Sequence, residues 1–150
     1  MTTIVTDTHI TPHLTWDEVH CWDRTVTPQR LIAVYPVDWR GVRIQTLARE
    51  FEAIRAGLSQ RVGRDAPLIV NSAYRTPAYN RRIGGSPKSQ HVWGRALDLR
   101  PKNQFDLADL YDVALNRARS IGAIRGLGRY PTFIHIDIRP TVDLALWDET

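Results

Sequence analysis

The sequence predicts an α+β fold, a small central antiparallel sheet flanked by helices within a single domain at residues 1–150. Three observations carry this reading. Two long segments place apolar residues at steps of three and four. Short apolar or alternating stretches stand between and after them. No linker, internal repeat or low-complexity stretch divides the chain, and its length is the usual scale of one domain.

Residues 1–15 read as an extended N-terminal segment. Thr15 is followed three residues later by Glu18, a capping-box pattern that starts a short helix. From Asp23 to Arg40 two prolines and the lack of a period predict irregular structure with one helical turn. Ile44, Leu47, Phe51, Ile54 and Leu58 then share one face of a helix over 41–60, with Arg43, Arg49, Glu50, Glu52 and Arg55 largely on the other. Gly63 and Pro67 end that segment. Leu68-Ile69-Val70 is a short buried strand. Residues 76–90 form a loop punctuated by Thr76-Pro77 and Gly84-Gly85, with a helical turn at 78–83.

Residues 95–100 alternate as a strand, with Ala96 and Asp98 on one side and Leu97 and Leu99 on the other. A second helix covers 104–121; Leu107, Leu110, Tyr111, Ala114, Ala118 and Ile121 make its apolar face and Gly122 its cap. Gly126-Leu127-Gly128 reads as a turn. The last strand, 132–138, points Ile134, Ile136 and Ile138 one way and Phe133, His135 and Asp137 the other.

Composition narrows the function. The net charge of +4 suits an anionic partner, but there is no basic cluster or stacking motif, so nucleic-acid binding is not expected. Cys21 is the only cysteine, which excludes an internal disulfide and multi-thiolate zinc sites. No apolar run approaches the roughly 20 residues of a membrane span, so membrane insertion is not expected. The N-terminus lacks the basic and apolar regions of a standard signal peptide. The chain is expected to be made in the cytoplasm and to be a monomer.

The chemistry concentrates in two places. Ser-Gln-His-Val-Trp-Gly-Arg-Ala-Leu-Asp, residues 89–98, sets His91 and Asp98 on either side of Gly94, which lets the backbone turn between them. Phe-Ile-His-Ile-Asp, residues 133–137, supplies His135. Two imidazoles and a carboxylate are a protein ligand set for a catalytic zinc whose fourth position stays open to water. Taken singly, each of these is an ordinary loop or strand residue; their joint occurrence points to Zn2+. His9, His13 and His20 read as exposed or packing histidines. Trp16, Trp22 and Trp39 read as core.

Residues 71–98 (NSAYRTPAYNRRIGGSPKSQHVWGRALD) and the later GLGRYPTFIHIDIR resemble the M15 zinc D-Ala-D-Ala peptidases, nearest to the small domains of phage endolysins and bacterial murein endopeptidases. The resemblance spans roughly 13–140 and rests on Ser-x-His-x6-Asp with a distal His-x-Asp. It implies the zinc D-Ala-D-Ala peptidase (hedgehog-like zinc domain) fold, with His91, Asp98 and His135 as zinc ligands. It implies that Arg75 stabilises the oxyanion and that Ser89 contacts substrate. Trp93, after the first ligand, is expected to wall the cleft. Asn80 and Gly84-Gly85 are expected to shape the loop.

One position departs from the family pattern. Many relatives carry an acid three residues before the last ligand, where it serves as general base, and here Thr132 stands there; others of the wider fold have a histidine two residues before, and here that position is Phe133. Asp137 is then either the base or a residue that orients an imidazole, and the second is favoured. The function implied is a zinc metallopeptidase cutting D-amino-acid-containing bonds of peptidoglycan stem peptides or crosslinks. The alternative is a zinc-stabilised domain that binds the wall and has lost catalysis. Either acts on the cell wall; a phage lysin or virion-carried lysin fits.

Overall fold

In the computed structural model residues 8–150 are described; the part of the expected extended start at residues 1–7 lies outside them. The chain begins with a small antiparallel pair, β1 (His9–Thr11) and β2 (Leu14–Thr15). Helix α1 (Trp16–Val19) follows at once because Thr15 and Glu18 form the full reciprocal cap: Thr15 Oγ1 accepts from the Glu18 N–H and Glu18 Oε1 from the Thr15 N–H. Residues expected to be irregular contain a second antiparallel pair, β3 (Cys21–Asp23) with β4 (Arg30–Ala33). Asp23 is buried there and takes Thr25 and Arg82 as partners, so this hairpin is held by polar contacts that leave no apolar period to read.

Helix α2 (Val42–Val62) buries the predicted stripe Ile44, Leu47, Phe51, Ile54 and Leu58. Glu50 is also buried, contrary to its assignment to the polar face. Arg117 on the second long helix chelates it with two hydrogen bonds of 3.1 Å, which offset the cost of burying the charge. Next come β5 (Leu68–Ser72), α3 (Pro77–Arg82), β6 (Ala96–Pro101), α4 (Leu107–Arg119) and three strands, β7 (Gly126–Arg129), β8 (Ile134–Asp137) and β9 (Ala145–Asp148). Ile121 lies past the end of α4 and is 82% exposed, so it is not part of that helix's apolar face.

The main sheet has the order β5-β6-β8-β7-β9. It is mixed rather than purely antiparallel, because β9 runs parallel to β7. Both edges of β8 are taken, by β6 and β7. The chain leaving β8 therefore pairs at the free edge of β7, and having reversed direction relative to β8 it lies parallel there. Gly126-Leu127-Gly128 is strand, not turn. Leu97, Leu99, Leu127, Ile134 and Ile136 form the core with the stripes of α2 and α4. The opposite face of the central strands carries the polar residues. Among the described residues no helix is long and apolar enough to cross a membrane.

The Glu50–Arg117 pair ties α2 to α4 across the core. Arg117→Ala leaves a buried carboxylate without its partner and is expected to cost roughly 3 kcal/mol, the low end for breaking a buried pair because the guanidinium is partly exposed. Urea unfolding checks it; an unchanged midpoint would remove the pair from the account of stability.

Candidate metal centre

Strand register assembles the site. Ser72 stands opposite Asp98, Asp98 opposite His135, His135 opposite Gly128 and Gly128 opposite Trp147. One rung thus crosses all five strands on a single face. On β5 an irregularity between Val70 and Ser72 brings Ser72 to this rung. The next rung on the same face is Ala96, Asp137, Gly126 and Ala145, all small except the aspartate.

His91 comes from outside the sheet, on a 3-10 turn at Gln90–Trp93. Ser89 caps that turn by accepting from the His91 N–H at 3.2 Å, and Gly94 ends it at φ +67. A side chain at Gly94 would meet Tyr35 and Trp39, whose rings form an edge-to-face cluster with Tyr74. The Tyr35 hydroxyl donates to the Gly94 carbonyl at 2.6 Å, fixing the turn to the core.

His91, Asp98 and His135 are all buried and bring one ligand atom each within 4.8 Å of one another. His91 Nδ1 lies 2.6 Å from the Ala73 carbonyl, which can only accept, so the proton sits on Nδ1. That leaves Nε2 as a bare lone pair, buried without a hydrogen-bond partner and 3.1 Å from Asp98 Oδ1. His135 presents Nδ1 to the same oxygen at 3.0 Å, while its Nε2 reaches Asp137 Oδ2 at 2.7 Å. With both imidazoles neutral, two nitrogen lone pairs converge on a carboxylate. A cation between them satisfies all three, and the residues fit a metal ion.

Burial is the largest influence on His91 and lowers its pKa, against the pull of Asp98. Burial pushes Asp98 upward, but the positive charge that His91 or His135 gains on protonation beside it outweighs burial and holds the carboxyl well below the usual range. Burial acts downward on His135, yet its bonds to Asp137 and Asp98 prevail and raise it above an ordinary imidazole.

The ligands open into a groove of about 570 Å³. Arg75 lines it, with Nε on Ser72 Oγ at 3.1 Å, Nη1 on Asn80 Oδ1 at 3.2 Å and Nη2 3.5 Å from Asp98 Oδ2. Asn80 is itself buried and donates to the Ser86 carbonyl, so it shapes the loop as expected. Ser89 lines the groove. Trp93 does not: two residues after His91 on a three-per-turn helix it points elsewhere, half-exposed beside Trp39. Thr132 is exposed at the β7–β8 hairpin and does not line the groove either.

Asp137 is fully buried and also stands outside the groove lining. It accepts from Arg139 at Nε (2.8 Å), Nη2 (2.7 Å) and the backbone N–H (3.1 Å), besides facing His135. The groove also contains Phe133, from the His135 face of the last strand, and four residues that no sequence motif marks: Lys88, Tyr130, Arg139 and Trp147. Arg139 continues the alternation of His135 and Asp137 and was legible from it. Trp147 carried no such signal.

A sequence model of the Peptidase M15 family matches residues 12–137, and the chain belongs to that family. No curated protein matches it. Membership makes the chain a metallopeptidase in general terms, and the His91–Asp98–His135 cluster fits the metal on which such peptidases depend.

Two outcomes follow for the metal. In the metal-free protein His135 keeps its proton to a higher pH than a free imidazole, and a metal must displace it. Zinc affinity should therefore fall steadily as pH drops from about 8 to about 6, through and below the ordinary imidazole value near 6.5, with proton uptake on release. An affinity that stays flat over that range would refute the assignment of His135. Asp137→Asn removes the charge that orients His135 and should weaken zinc binding about 10- to 100-fold, measured by competition with a chromophoric chelator.

Proposed function

We propose that this M15 family member is a zinc-dependent peptidase acting on D-amino-acid-containing bonds of peptidoglycan stem peptides or crosslinks at the cell wall. The observation that carries the metal is the orphaned Nε2 of His91 facing Asp98. The separations of 3.0 and 3.1 Å support zinc, since two ligand atoms on a tetrahedral zinc stand about 3.3 Å apart. The bond class rests on the resemblance at residues 71–98 and 126–139. Arg75, Lys88 and Arg139 along the groove support a peptide rich in carboxylates, which stem peptides are.

When bound, zinc supplies Lewis acidity and brings the pKa of a water to about 7. The chain's own residues do the rest. Arg75 is pinned by Ser72 and Asn80, so its guanidinium is a fixed donor for negative charge developing at the scissile carbonyl. Asp137, shut behind the imidazole and held by Arg139, orients His135 rather than taking a proton from water. Ser89 uses its oxygen to cap the His91 turn, and its hydroxyl proton is left for a substrate acceptor.

A second reading, a wall-binding domain that has lost catalysis, draws on one observation. Among the described residues the only carboxylate lining the groove is the ligand Asp98. Digestion of purified peptidoglycan with zinc-loaded protein, followed by mass analysis of released fragments, separates the two. Stem-peptide cleavage that stops on chelation supports the enzyme; binding without cleavage supports the alternative. Arg75→Ala should keep its zinc and lose about 2.7–4 kcal/mol of transition-state stabilisation, the scale of one oxyanion donor. Full activity in that variant would overturn the role of Arg75.

A further inference from the structure

We propose that Tyr130 is a further substrate-contacting residue, whose hydroxyl, oriented by Trp147, donates a hydrogen bond to an acceptor oxygen of the bound peptide on the side of the metal ligands away from Arg75. The inference rests on the peptidase reading above and goes beyond it by assigning the β7–β9 side of the groove.

Placement is the first argument. Tyr130 lies two residues beyond Gly128, so the alternation of β7 carries it to the same face as the rung of Asp98 and His135. Arg75 is anchored at β5, at one end of that rung; Trp147 closes the other end on β9. Tyr130, Trp147 and the ligands line one groove.

Hydrogen-bond accounting is the second. An indole N–H can only donate, and Trp147 Nε1 stands 2.9 Å from the Tyr130 hydroxyl oxygen. That oxygen is therefore the acceptor, and the phenolic proton must point away from the indole. No other hydrogen bond of the Tyr130 side chain occurs among the described residues. A hydroxyl whose oxygen is held and whose proton is unclaimed, half-buried in a groove, is a preoriented donor.

Rigidity is the third. The Tyr130 ring stacks on Phe133 with centroids 4.5 Å apart and planes 5° from parallel. The turn between them is closed by the Tyr130 N–H on the Phe133 carbonyl at 3.0 Å. Trp147 is set in turn by Gly128, where a Cβ would collide with the indole, and its ring lies 5.1 Å from that of His135. Little freedom is left for a ligand to remove on binding, so the donor is used at small entropic cost.

Tyr130→Phe deletes only the hydroxyl and keeps the stack. Trp147→Phe keeps an aromatic ring against His135 and deletes only the N–H. Zinc content, kcat and KM on a defined stem peptide, and calorimetric binding of that peptide's cleavage products are read for both variants and their combination. Tyr130→Phe is expected to hold zinc as wild type does and to lose roughly 10-fold in kcat/KM or product affinity, the scale of one neutral hydrogen bond. Trp147→Phe should lose less, and the double variant no more than Tyr130→Phe. Wild-type kinetics and product binding in Tyr130→Phe would overturn the assignment while leaving the peptidase reading intact. Loss of zinc or of melting temperature with kcat/KM unchanged per bound zinc would make the pair structural and overturn it as well. If the wild type neither cuts nor binds stem peptides, the peptidase reading fails and the assignment falls with it.

Discussion

Strand register is the constraint on which the rest of this molecule depends. Asp98 and His135 become neighbours because β6 and β8 pair so that Leu97 meets Ile136 and Leu99 meets Ile134 on the core face. The apolar set fixes the register, and the register fixes the ligands. A slip by one residue would turn His135 into the core and Ile134 and Ile136 to the groove, exchanging burial of apolar side chains for burial of an imidazole. The metal centre is thus specified by hydrophobic burial on the opposite face of the same strands. His91 is the exception: its position comes from the Gly94 turn, which is tied to Tyr35 and the aromatic cluster beneath it.

The electrostatics follow from that placement. Three buried groups that each want a positive partner are brought together, an arrangement that opposes folding unless something compensates. Part of the compensation is built in. The Ala73 carbonyl takes one imidazole proton and Asp137 the other, and Arg139 balances Asp137 in its turn. Arg75 leans on Asp98 from the β5 side. What the protein does not supply is a donor for His91 Nε2. Metal binding there would therefore couple to stability as well as to chemistry, because the ion would satisfy a buried ligand atom that the chain leaves open.

Much of this was legible in the sequence. Helical periodicity gave both long helices, since their stripes are buried on one face. The capping box at Thr15 and the alternation at 95–100 and 132–138 survived because each is a local rule whose tertiary context agrees with it. The failures are equally physical. Gly126-Leu127-Gly128 looked like a turn because glycine is read as backbone freedom. Here its value is the absent Cβ, since side chains at 126 and 128 would occupy the space of Asp137 and Trp147. Glu50 reads as a residue of the polar face because its partner, Arg117, lies 67 positions away and no pattern links them. β9 has no distinguishing period, and its place depends on which edge of the sheet remains free.

The same geometry bears on position 132, which carries no acid. An acid before the last ligand is useful only if the hairpin turns it toward the groove. In this hairpin the stacked pair Tyr130 and Phe133 takes the groove face, and Thr132 is left at the exposed tip, where its carbonyl accepts from Gln104. The nearest other carboxylate, Asp137, is committed on both oxygens to His135 and Arg139 and has no exposed surface. Its carboxyl is held below the usual range despite burial, because the bonds from Arg139 and His135 outweigh desolvation. A group so stabilised as the anion is a poor proton acceptor and a good orienting charge. The groove is therefore positive, from Arg75, Lys88 and Arg139, and among the described residues its single lining carboxylate, Asp98, belongs to the cluster that fits a metal ion. That charge balance attracts anionic groups to the groove.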